Sequence, residues 1–192
     1  MNHLEQLVTE WLQYNDYFVR TSVLVGPRER GGFEGELDVV GLHVERKHLI
    51  HVECSLDANA WSVREERFAA KFQRGERHIK ATVFRGWMLP ETIDRVVLLQ
   101  FAGVNAPERV GGGRLVTGKQ FIREIFEGLR DTRPESGAVP STFPLLRTLQ
   151  LAAAAQEVPS NPQRRVIPVL DAICGNSEVK AFADSSSIAI AR

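Results

Sequence analysis

Cysteine is scarce in this chain: two among 192 residues, Cys54 and Cys174, far apart. That leaves no disulfide framework, and with no signal-peptide pattern at the start it points to a reducing cytoplasm. Net charge is lacking as well. Lys+Arg 24 balance Asp+Glu 24, so any nucleic-acid surface has to be a local patch and not a global basicity. No apolar run approaches membrane-spanning length, and no internal repeat is visible. What remains, 43% hydrophobic and 25% charged residues, is the composition of an ordinary globular protein, long enough for one domain with a substantial core.

The informative stretch is Glu36-Leu37-Asp38-Val39-Val40-Gly41-Leu42-His43-Val44, then Glu45-Arg46-Lys47-His48, then Leu49-Ile50-His51-Val52-Glu53-Cys54-Ser55. Two short runs rich in Val, Ile and Leu around a charged link read as a β-hairpin. Alternate side chains of a strand share a face, so Asp38 falls with Glu36, Val40 and Leu42, and Glu53 with Leu49, His51 and Ser55. Each strand thus sets one carboxylate among apolar neighbours, at a similar distance from the turn. Carboxylates held so close raise each other's pKa unless a cation separates them, and hard oxygen ligands suit Mg²⁺ or Mn²⁺.

At these residues the chain resembles the PD-(D/E)XK nuclease superfamily, the restriction-endonuclease-like fold, over roughly residues 1–131. That pattern is an acidic residue on one strand followed by (D/E)-x-K on the next. Asp38 matches the first half and Glu53-Cys54-Ser55 the second, except that Ser55 stands where the family has lysine. The resemblance implies an α/β fold with a mixed β-sheet flanked by helices, and metal held by Asp38 and Glu53. It gives Glu5 a role, since many members carry a glutamate on the first helix that reaches the metal site; a solvated helix glutamate is the alternative. Some members have moved the lysine to the next helix, where Lys71 is the candidate, its ammonium stabilising charge on a phosphorane-like transition state.

Around the hairpin, Leu4, Leu7, Val8, Trp11 and Leu12 predict an amphipathic helix over 2–14. Tyr17 to Val25 reads as a strand, and Gly26 to Gly35 as a partly basic loop placed to contact phosphates. A charged helix is expected from Ser62 to Arg74, with Trp61, Phe68 and Phe72 on one side, Gly75 interrupting it, and Arg64 and Arg67 on a solvated face. Arg95 to Phe101 is an apolar strand of the kind covered on both faces, and Arg114 to Val116 a further strand. Thr117 and Gln120 form a capping box for a helix to about Asp131. That box also explains Gly113 to Gln120, which only approximates a phosphate-binding P-loop. His48, His51 and Cys54 fall on a turn and on opposite strand faces, unsuited to zinc, and a cysteine nucleophile at Cys54 is set aside on the same ground.

Residues 132–192 are expected to be a linker, a Leu/Ala-rich helix over 143–157, a short apolar piece at Val166–Ile173 and a loose tail. The helix, a C-terminal appendage to the fold, either packs back on the core or pairs with another subunit or a partner protein. Two functions follow. One is an Mg²⁺-dependent nuclease acting on DNA, with Asp38, Glu53, Lys71 and Glu5 in its site. The other is a catalytically inactive relative that binds nucleic acid or a protein.

Overall fold

The protein is described by a computed structural model over residues 1–103 and 105–155. Helix α1 (His3–Tyr14) starts at a capping box: the Asn2 side chain accepts the backbone N–H groups of Leu4 and Glu5, and the Glu5 carboxylate accepts the Asn2 backbone N–H at 3.1 Å. Three antiparallel strands follow, β1 (Phe18–Pro27), β2 (Phe33–His43) and β3 (His48–Ser55). The expected loop at 26–35 is shorter than its glycines suggest, because the β1–β2 ladder runs out to Pro27 opposite Phe33.

Helix α2 (Trp61–His78) continues through Gly75 and ends in a π-helical turn, Ile79–Val83. The expected break at Gly75 does not occur. Glycine costs a helix only about 1 kcal/mol, and here it has a packing role: a methyl group on Gly75 would collide with the His51 ring. Strand β4 (Asp94–Leu99) pairs parallel with β3, and β6 (Gly113–Thr117) parallel with β4. Strand β5 (Arg109–Val110), too short to leave a sequence pattern, closes the edge, giving the order β1-β2-β3-β4-β6-β5. Helix α3 (Gly118–Leu129) carries the expected Thr117–Gln120 box. A 3₁₀ turn (Pro134–Ser136) leads to α4 (Pro144–Ala155), and the expected segments beyond 155 lie outside the described residues.

The result is a six-stranded mixed sheet between helices, and its two faces separate the roles. Val39, Ile50, Val52, Cys54, Val96, Leu98 and Val116 pack with α1, α3 and α4. On the opposite side Phe68 and Phe72 of α2 pack on Val97 and Leu99. Helix α4 belongs to the first layer: Leu146 is fully buried there, and its backbone N–H donates to Glu10 Oε2 at 2.8 Å. The apolar stripe that could have served a second subunit is thereby turned, at Leu146, toward this chain's own core.

Because that side chain is enclosed, Leu146→Ala should lower unfolding stability by about 2–5 kcal/mol, read as an earlier midpoint of one urea transition. A loss under about 0.5 kcal/mol, the size of an ordinary surface substitution, would mean that α4 is detachable.

Candidate functional site

The β2–β3 ladder extends from His43 opposite His48 to Val39 opposite Val52, and no further. Beyond it β3 continues against β4 up to Ser55, while β2 continues against β1 alone. Asp38 and Glu53 are the next pair at that parting. Asp38 Oδ2 accepts the backbone N–H of Cys54 at 2.9 Å, so a carboxylate bridges the two strands where the backbone ladder has ended. The same side of the sheet receives α2, whose Phe68 and Phe72 are each 1% exposed and fix the helix against it. Lys71, between those two anchors, lays its stem inward. Its Nζ donates to Asp38 Oδ1 at 2.8 Å and to Glu53 Oε2.

Glu53 is fully buried and has a second partner, His51 Nε2, at 2.7 Å from Oε1. His51 sits two residues back on the same strand face, its ring edge-on to Phe72 and in the space left by Gly75. The charges divide accordingly. Burial and the Glu53 charge push the Asp38 carboxyl up to about 7, against the pull of Lys71. Burial also acts to raise Glu53, but the hydrogen bond and charge of His51, then Lys71, outweigh it and hold that carboxyl below its ordinary value. Burial disfavours the Lys71 ammonium, yet Glu53 and Asp38 more than offset it, so its pKa lies above the usual one.

Next to this triad lies a cluster around Asp57, a residue that the sequence did not single out. Ser55 donates its hydroxyl to Asp57 and accepts Arg67 Nη2 at 3.1 Å, while Arg67 also pairs with Asp57 at 2.5 Å. Arg64 Nε reaches Asp57 at 3.2 Å. The expectation of a solvated face fails for Arg64, which is 4% exposed and lies over the Trp61 ring. Its cause is Asp57, which anchors a guanidinium that a bare helical wheel would send to solvent. Burial opposes ionisation of Asp57, but Ser55 and Arg67 hold its carboxyl well below the usual range.

Glu5 is placed differently. Its carboxylate closes the α1 capping box, and α1 packs on the face that carries Cys54. Glu36 is exposed. His48 faces Tyr17 and Asp94, away from His51, and Cys54 is buried in the α1 layer. Among the described residues no group of three or more His, Cys, Asp or Glu side chains could hold a metal ion, and no helix is long and apolar enough to cross a membrane. No protein-family model, curated protein or solved structure matches the chain.

The raised Asp38 pKa fixes a sign. Between about pH 4 and 7 the folded protein holds a proton that the unfolded chain has released, so this group makes stability fall as pH rises through that window. Asp38→Asn should flatten the fall, by a few kcal/mol at most (about 1.4 kcal/mol per pKa unit), in urea midpoints compared at pH 5 and 8. Parallel pH curves for both proteins would show that Asp38 ionises normally.

Removing Lys71 strands two buried carboxylates. Lys71→Met should cost about 3–5 kcal/mol at pH 8, read as a lowered melting temperature. An unchanged melting temperature would mean that the ammonium does not hold the pair together.

Proposed function

We propose that this protein is a metal-dependent nuclease of the PD-(D/E)XK type, acting on DNA phosphodiesters. The observation that carries the reading is the convergence of Asp38 Oδ1 and Glu53 Oε2 on one cation, the Lys71 ammonium, between adjacent strands. What supports a shared ion is that both oxygens already face one positive charge; an ion held by them would shift the Lys71 ammonium aside, toward an incoming phosphate. Two hard oxygens meet at one point, with Oδ2 and Oε1 tied back by Cys54 and His51. Mg²⁺ is commonly held by one or two carboxylates, with water and substrate phosphate completing its shell, so a pair of carboxylates is compatible with it.

Asp38 and Glu53 would hold the ion. When bound, it would polarise a phosphoryl oxygen and make a bound water more acidic. The remaining work falls to the chain itself. His51 and Lys71 keep Glu53 ionised and aimed. Lys71 supplies positive charge against the negative charge that gathers on the phosphoryl oxygens as water adds to phosphorus and a P–O ester bond breaks. Ser55 brings no cation to the strand, but Arg67 reaches its hydroxyl, so positive charge stands beside that position as well.

A second reading has its own observation. Lys71 already pairs with both carboxylates from within, so the fold stands without an ion at this point, as expected of a module that kept the site and lost the reaction.

Calorimetric titration and cleavage assays separate the two. With Mg²⁺ or Mn²⁺ the protein should cut DNA, and Lys71→Met should lower the rate about 10²–10³-fold, the scale of one lost electrostatic donor. Asp38→Asn and Glu53→Gln should remove both cleavage and Mn²⁺ binding. Intact substrates across DNA and RNA, with no heat of metal binding, would establish the silent module.

A further inference from the structure

Helix α2 presents Arg64, Arg67, Lys71, Arg74 and His78 at spacings of three and four residues, one continuous ridge over the sheet. Most of its cations have a carboxylate. Arg64 and Arg67 share Asp57, Lys71 has Asp38 and Glu53, and His78 together with neighbouring Arg77 has Glu34. Arg74 breaks the pattern. Among the described residues no carboxylate pairs with it, and its buried Nε has no hydrogen-bond partner. Leaving such a donor unmet is costly, so packing alone is a poor reason for an arginine here.

Its seat is specific. The guanidinium lies over Gly35 of β2, where a Cβ would come within 2.6 Å of Arg74 Nε and 3.0 Å of its Cζ. Gly35 belongs to the outer half of β2, which is paired with β1 only. It stands three residues before Asp38, about 10 Å along the strand. The hairpin tip beyond carries exposed Arg28 and Arg30.

We propose that Arg74, seated on Gly35, is a phosphate-binding residue that takes a nucleic-acid phosphate flanking the one at Asp38 and Glu53. The inference rests on the nuclease-fold reading and deepens it by assigning the direction in which the strand runs: from the carboxylates along the β1–β2 arm. A planar guanidinium gives two parallel N–H groups to a phosphate, which an ammonium cannot.

The test is fluorescence anisotropy of a short fluorescein-labelled DNA duplex with calcium replacing magnesium, over a series of salt concentrations. Arg74→Ala should weaken binding about 10-fold or more, as for one charged hydrogen-bonded contact, and reduce the log–log salt slope by about 1. Its melting temperature should hold or rise, because an unmet buried donor is gone. Gly35→Ala, which keeps every charge but displaces the guanidinium, should weaken binding likewise. Arg77→Ala, removing a cation already paired with Glu34, should have a smaller effect. Wild-type binding with an unchanged slope in Arg74→Ala would overturn the assignment and leave the nuclease reading standing. A lowered melting temperature with unchanged binding would make Arg74 structural. Absence of DNA binding by the wild type would overturn both.

Discussion

The ammonium of Lys71, set between Asp38 and Glu53, is the interaction on which the rest of this structure depends. Two carboxylates on neighbouring strands, one fully buried and the other nearly so, would repel each other in a medium that screens poorly. A cation at their midpoint turns that repulsion into two attractions, but only if the helix carrying it is held in place. Phe68 and Phe72 do so by packing on Val97 and Leu99. Gly75 lets the next turn of α2 approach closely enough for His51 to stay beneath it. The polar site and the small aromatic core beside it are therefore one mechanical unit.

Strand β3 makes the arrangement possible, being antiparallel to β2 on one side and parallel to β4 on the other. Where it leaves β2 after Val52, backbone groups lose their partners, and an unmet buried N–H would be costly. Asp38 accepts from the Cys54 N–H and so settles that account with a side chain. The parting of the strands is what allows two acidic groups to occupy positions that an apolar cross-strand pair would otherwise fill.

Much of this was legible in the sequence because strands announce themselves by alternation. The hairpin, the facing of Asp38 with Glu53, and the opposite facing of Cys54 all follow from a period of two. The end of α2 was not legible: propensity marks Gly75 as a break, whereas the close contact with His51 decides it. Strand β5 is two residues long and has no period to read. The stripe of α4 was visible, but its direction depends on α1, 136 residues away in the Leu146–Glu10 bond. Asp57 escaped notice because a lone acid in a turn is common, and only the fold shows two arginines converging on it. Glu5 illustrates the converse, a residue whose pattern admits a site role while its carboxylate closes a helix cap.

The balanced charge of the chain takes on a different meaning once the partners are known. Neutrality here is local: along α2 most cations have an internal carboxylate within about 4 Å, so little long-range field remains to gather nucleic acid from a distance. A phosphate approaching Asp38 and Glu53 meets their charge at short range, where it is repulsive unless offset. Lys71 offsets part of it, and because the ammonium already holds both carboxylates, it cannot also saturate a dianionic transition state unaided. An additional positive charge at that point, whether a divalent ion or a guanidinium released from Asp57, is thus required by the charge count itself if the site is to act on a phosphodiester. The same count explains how the fold stands without one.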